Sequence, residues 1–228
     1  MKTKMILVAM MLGFGISLVS CGNKELAEGR AVDVMSPEAY EKAKETYDRP
    51  GIGDFSSGLA PVTLDKKDGY INPEGEVVIP LEYDEAYCFN CGVARVKKND
   101  KWGFINPKGE VVADFQYADA GDFSEDLAPV MKNNKVYFIN TNGKEVFELD
   151  SKYVVESVFR EGLCLVMNER GALGFINKKG ELVIPCKYED AGLFIDGEAE
   201  VITLDGKHCM IDKEGNITQN LRSEDDDW

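Results

Sequence analysis

An all-β tandem array is the fold that this sequence predicts, and three observations carry it. Phe55, Phe89, Phe123, Phe159 and Phe194 recur at spacings of 34, 34, 36 and 35 residues. Two further columns keep step with them: Ile71, Ile105, Ile139, Ile176 and Ile211, and Gly75, Gly109, Gly143, Gly180 and Gly215. Each period is a series of short apolar runs separated by Asn, Pro and Gly turn signals, with no sustained helical period. A unit of about 35 residues is too small to bury a core alone, so the units must pack on one another. The expected architecture is about five antiparallel three-stranded units, open and solenoid-like, with a propeller-like ring as the alternative. The open form is favoured because three strands are fewer than the four usual in a propeller blade.

The first twenty residues read as an address. Lys2 and Lys4 precede an apolar stretch from Met5 to Val19. About fifteen residues at roughly 1.5 Å each fall short of the roughly 30 Å hydrocarbon core, as in a secretory signal. The stretch ends in Leu18-Val19-Ser20-Cys21, which resembles the bacterial lipobox, cut just before its cysteine. That resemblance implies a diacylglyceryl thioether on Cys21 and, in many bacteria, a further acyl chain such as palmitate on the new amino group. Two chains anchor stably where one is marginal. Gly22 stands where an Asp would resemble an inner-membrane retention signal, so the expected site is the outer membrane, on its periplasmic or surface face.

Residues 21–54 read as a tether and one short helix. Ser36-Pro37-Glu38 is a start signal: an N-cap, a proline at the first helical position and an acid in the first turn. Ala39, Tyr40, Ala43 and Tyr47 then mark one face, and Arg49-Pro50-Gly51 stops the helix. Its expected role is to cap the first repeat, because a terminal unit needs a different outer face. The array is expected over 55–217, and 218–228 as a solvated acidic tail.

Within the array each unit repeats one grammar. A strand such as Val93–Lys97 is followed by a polar turn, Lys98-Asn99-Asp100, and by a second strand, Lys101–Ile105. Then come Asn106-Pro107-Lys108-Gly109 and a third strand from Glu110. Proline presets φ near −65° at the second turn position, and glycine takes the left-handed φ that costs other residues roughly 1–2 kcal/mol. A type I turn closed by a left-handed residue makes a three-residue hairpin with a bulge.

The run Lys101-Trp102-Gly103-Phe104-Ile105-Asn106-Pro107-Lys108-Gly109-Glu110-Val111-Val112 resembles the WG repeat, named for its Trp-Gly pair. The tail Ile79-Pro80-Leu81-Glu82-Tyr83-Asp84 and the opening Phe123–Val130 are similar to it as well. The dipeptide is whole only once; Asp68-Gly69, Val136-Tyr137, Leu173-Gly174 and His208-Cys209 stand in its place. The resemblance implies a bacterial β-repeat protein, often secreted or lipidated, and supplies no catalytic residues.

Charge and composition exclude other classes. Forty-one acidic against 26 basic residues give a net charge of −15, the opposite of a nucleic-acid footprint. The single histidine, His208, falls in the tryptophan slot, where packing outweighs catalysis. Cys88-x-x-Cys91 lacks a second pair for zinc and the helical setting of a redox motif, leaving incidental thiols, a disulfide or a minor metal or redox role. Cys164 aligns with Ala60, Ala94 and Ala128, and Cys186 with Leu81, so both read as core residues. Asp212-x-Glu214-x-Asn216 has a calcium-loop look but sits on the hairpin turn. No cofactor or metal is expected.

These readings point to a lipid-anchored, non-catalytic binding or scaffolding protein of the envelope, bound to the membrane through Cys21 and holding a protein or an envelope glycan. A passive structural spacer is the alternative. An envelope hydrolase is a second one, in which acid pairs such as Asp119/Asp122 or Glu189/Asp190 would do glycosidase chemistry. Tyr87, Phe89 and Asn90 are candidate contacts between units, although the Phe column suits a core better. The turn assignment is testable: Gly109→Val is expected to lower the melting temperature by several degrees, and Lys108→Ala to leave it nearly unchanged.

Overall fold

The computed structural model describes residues 35–50 and 55–221. The signal segment, Cys21, most of the tether and the tail from residue 222 lie outside the described residues. One helix and nineteen strands form the regular structure of what is described.

Helix α1 (Pro37–Thr46) begins as its sequence requires. The Ser36 hydroxyl accepts from the Ala39 N–H at 3.2 Å, Pro37 takes the first turn, and Lys44 lies in the last. Met35, Ala43 and Tyr47 bury against Ala60, Val62 and Ile71, so this segment does cover the first sheet.

The strands form four sheets, each in sequence order. The first contains β1 (Arg49–Pro50), β2 (Ala60–Leu64), β3 (Lys67–Ile71) and β4 (Val77–Tyr83). The second contains β5 (Glu85–Ala86), β6 (Ala94–Lys98), β7 (Lys101–Ile105) and β8 (Val111–Tyr117). The third contains β9 (Asp119–Ala120), β10 (Leu127–Lys132), β11 (Lys135–Asn140) and β12 (Glu145–Glu148). The last has seven strands: β13 (Tyr153–Val155), β14 (Leu163–Asn168), β15 (Leu173–Asn177), β16 (Leu182–Ala191), β17 (Glu198–Thr203), β18 (His208–Asp212) and β19 (Ile217–Asn220). The described residues divide into two compact units, 35–134 with 139–145, and 135–138 with 146–221.

The all-β, antiparallel repeat architecture is the expected one, but the three-stranded unit gains a fourth strand. The segment after Tyr83 pairs with the following unit: Glu85 lies opposite Lys97, and Ala86 opposite Val96. A two-residue strand is too short to show alternation, which is why periodicity misses it. Four strands is the blade number, so the strand-count argument for an open array no longer applies. Sheet structure also exceeds the expected 55–217 at both ends. Arg49 pairs with Thr63, and Gln219 and Asn220 pair with Met210 and Cys209.

The Phe and Ile columns form the interior. All five column isoleucines are fully buried, and Phe89, Phe123, Phe159 and Phe194 are buried with them, while Phe55 is half-buried. The ring in the middle strand of one repeat meets the opening phenylalanine of the next. Tyr70 lies 4.9 Å from Phe89 and Phe104 5.1 Å from Phe123 in the first unit. Phe138 lies 5.4 Å from Phe159 and Phe175 5.0 Å from Phe194 in the second. Three of the four are edge-to-face, the arrangement that the ring quadrupoles favour.

The glycine of the Trp-Gly pair also has a physical cause. Opposite it the outer strand bulges: Asp68 and Tyr70 face Tyr83 and Ile79, so two residues of β3 span four of β4. A Cβ on Gly69 would lie 2.6 Å from the Ile79 carbonyl oxygen, and one on Gly174 the same distance from that of Ile184. Where the slot holds Cys209, β19 pairs with that residue directly, Cys209 opposite Asn220. Where it holds Tyr137, β12 stops after four residues.

The turn glycines serve two needs. Gly109 has φ 80° and Gly143 φ 75°, the left-handed values that the three-residue turn demands. The Asn106 side-chain oxygen closes that turn, accepting from the Lys108 and Glu110 N–H groups at 3.0 and 3.1 Å. From the second repeat on, each turn also sits on the preceding repeat. A Cβ on Gly109 would meet Ile79 at 3.6 Å, an ordinary contact, but one on Gly143 would collide with the Val112 carbonyl oxygen. Gly109→Ala is therefore expected to cost the backbone strain alone, about 1–2 kcal/mol. Gly143→Ala should cost at least ~1 kcal/mol more, read as the difference between two chemical denaturation midpoints.

Candidate interaction surface

The loop residues singled out from sequence turn inward. Phe89 is buried under Tyr70, and its N–H donates to the Ser56 hydroxyl of the preceding repeat at 2.7 Å. Asn90 is half-buried and donates to the Cys88 carbonyl at 3.5 Å. Tyr87 is half-buried in a stack with Arg95 and Trp102. Their expected role as contacts gives way to packing, because the segment carrying them joins the next sheet.

That stack surrounds the one complete Trp-Gly pair. The Arg95 guanidinium lies 3.7 Å from the Tyr87 ring centre and 5.2 Å from that of Trp102. Its Nε is 2.7 Å from Asp122, and an Nη donates to the Ala120 carbonyl at 2.8 Å. Lys97 extends the network, donating to Glu85 at 2.8 Å. A planar guanidinium can lie on a ring and hold two acceptors beyond it, which a lysine cannot do. Arg95 thus ties the second sheet to the segment that opens the third. In the first repeat Asp68 occupies the tryptophan slot and works differently. Buried at 5% exposure, it accepts from the Thr63 hydroxyl at 2.7 Å and the Ala86 N–H at 2.8 Å.

The acid pairs are scattered into structural duties. Asp122 pairs with Arg95, and Asp119 accepts from its neighbour's N–H at 2.9 Å. Asp190 does the same for Ala191 at 2.8 Å, beside exposed Glu189. His208 is half-exposed, 3.8 Å from Glu200. Asp212 caps its own turn, accepting from the Glu214 and Asn216 N–H groups. Cys164 is a small core residue as expected: burial pushes its thiol up to about 12, which makes it inert at neutral pH. Cys186 is half-buried rather than core. Cys88 is half-buried, and Cys91 takes a turn φ of 52°. No group of three His, Cys, Asp or Glu side chains among the described residues is arranged to hold a metal.

A feature that sequence reading missed lies just after each turn glycine. Val77, Val78 and Val111 in the first unit, and Val146, Leu182, Val183 and Ile217 in the second, are all between 38% and 57% exposed. Each lies at the start of the third main strand of its repeat, a stretch paired on one side only: β4, β8, β12 and β19 are sheet edges, and β16 pairs with β17 only from Tyr188 on. Scattered single apolar side chains need no explanation, but an exposed aliphatic residue two or three places after the turn glycine of every repeat does. Pro80 in β4 and Pro185 in β16 lack the N–H that a strand from another chain would need, so the backbone edge is blunted while the side chains stay accessible. Its signal in the sequence is the Val-Val pair, which alternation alone cannot assign to a wet or a dry face.

The family described as "WG containing repeat" matches residues 69–102, 102–135, 138–170 and 174–207. No curated protein matches the chain. Among solved structures, BamB from Moraxella catarrhalis is similar at 10% identity and a TM-score of 0.43, over 74% of this chain and 62% of that one. Hsv2 from Kluyvelomyces marxianus is similar at 11% and 0.46, over 74% and 60%. The WD40 β-propeller domain of Doa1 is similar at 15% and 0.37, over 73% and 66%. The chain spans roughly three-fifths to two-thirds of their length.

The Arg95 stack yields a stability contrast. Arg95→Ala is expected to cost about 2 kcal/mol, through lost ring packing and an orphaned Asp122. Lys98→Ala, which breaks the exposed 3.1 Å pair with Glu82 and a distant 5.9 Å approach to the Tyr83 ring, should change stability by less than ~0.5 kcal/mol in the same urea titration.

Proposed function

The chain belongs to the WG-containing repeat family, and from that premise we propose that it is a lipid-anchored, non-catalytic binding module of the bacterial cell envelope that holds a neutral or basic protein partner. The observation that carries this reading is the exposed aliphatic residue that stands two or three places after the turn glycine in every repeat. Within each compact unit consecutive repeats present such side chains in series, which offers a partner contact without a pocket. The net charge of −15 repels anionic polymers and favours a neutral or basic partner. Aliphatic side chains suit a protein surface better than a sugar, whose rings are gripped by aromatic faces, and Tyr40 is the one large aromatic exposed among the described residues.

Anchoring through Cys21 would fix this surface at the membrane. Crosslinking in intact cells tests both parts. The native chain is expected to capture a specific protein, and Val78→Asp with Val111→Asp to lose it by at least about tenfold while melting normally. Cys21→Ser is expected to leave the chain unprocessed or soluble. Absence of any specific partner across growth conditions would favour the spacer, and normal processing and membrane fractionation of Cys21→Ser would remove the anchor.

A further inference from the structure

The fourth repeat departs from the first three in two places, and a cleft of 330 Å³ lies where the departures meet. The first departure is a turn. In the first three repeats the hairpin between the first two main strands closes through two residues with positive φ: Asp65-Lys66, Asn99-Asp100 and Asn133-Asn134. In the fourth the hairpin is one residue longer and closes through Asn168 to Gly171, where the Gly171 N–H donates to the Asn168 carbonyl at 3.0 Å. The second departure is a side chain. Counting six residues from the turn glycine, the first repeat has Leu81, the second Phe115 and the fourth Cys186. A small thiol stands where siblings carry a large apolar group, and the space is left open.

The cleft wall combines donors and apolar surface. Asn72, Asn106 and Asn177 spend their amide N–H₂ on a glutamate four residues on, at 3.1, 2.7 and 2.8 Å. Asn168 has Ala172 there instead, so its N–H₂ finds no acceptor among the described residues. The Arg170 guanidinium makes no ion pair among the described residues either, although Glu169, also in the wall, already has a partner of its own. Lys152 lies 5.0 Å above the Tyr153 ring and is compensated by Asp150 at 2.7 Å. Leu182, Tyr153 and Cys186 supply the apolar part. Two donors without a partner among the described residues, beside an apolar wall, match a carboxylate on a hydrocarbon body.

We propose that this cleft binds a small organic carboxylate, held by Arg170 and Asn168 with its apolar body against Tyr153, Leu182 and Cys186. The proposal is independent of the protein-binding reading. The probe is hexanoate, titrated into the ¹⁵N-labelled full chain and followed by backbone amide shifts, with hexanamide as the uncharged control. Hexanoate is expected to shift Arg170, Gly171, Ala172 and Leu182 saturably, with a Kd of about 1 mM for a ligand of this size. Hexanamide should bind at least about tenfold more weakly, and Arg170→Gln should remove the same factor. Cys186→Phe restores the residue of the second repeat, so it should close the cleft and abolish binding while keeping the melting temperature. Equal binding of the amide, full binding to Cys186→Phe, or shifts that never saturate would each overturn the proposal.

Discussion

The ring-on-ring joint between consecutive repeats is the contact on which the rest depends. No single repeat here could stand alone: about 35 residues are too few to bury a core without a neighbour. The opening phenylalanine of the next repeat is that neighbour, meeting Tyr70, Phe104, Phe138 or Phe175 in turn. The joint occurs twice in each compact unit. The isoleucine column beside it is fully buried, so the two columns together define the dry interior. At the start of the chain the same need is met by a helix: Met35, Ala43 and Tyr47 cover the first sheet because no repeat precedes it.

Glycine placement follows from those joints rather than from flexibility. The glycine of the Trp-Gly pair is required because the outer strand folds its backbone over the site, and the bulge is missing where cysteine fills the slot. The turn glycine is required by φ and, at Gly143, also by the carbonyl of the repeat before it. The tryptophan slot is freer. Asp68, Trp102 and His208 all occupy it, buried by hydrogen bonds, packed in a cation–ring stack, or half-exposed. Backbone proximity cannot be negotiated, whereas a side-chain slot can be refilled.

Much of this was legible in the residues. The Phe, Ile and Gly columns and the Asn-Pro-x-Gly turn follow from spacing, and Ser36-Pro37-Glu38 fixes the helix start. The fourth strand was not legible, because Glu85-Ala86 is too short to alternate. Tyr87 and Phe89 read as loop contacts only while that strand is unknown; once it pairs, they are drawn inside. The exposed valines were invisible for the converse reason, since an apolar pair at the start of a strand says nothing about whether a neighbour covers it. The cleft depends on what Cys186 lacks relative to Leu81 and Phe115, and an absent side chain leaves no pattern to read.

The short shared strand also bears on how such a chain can change length. The period of the sequence and the period of the sheets are out of phase, since the segment after each tyrosine belongs to the next sheet. In the last sheet the two are continuous, β16 running through ten residues from one repeat into the next. A genetic duplication or deletion of one whole period, wherever its endpoints fall, carries the closing strand of one sheet and the opening strand of another. Both junctions are therefore re-formed with their partners in register. The lineage can lengthen or shorten by whole repeats without an intermediate that exposes a raw end, while a change by any part of a period breaks every joint downstream.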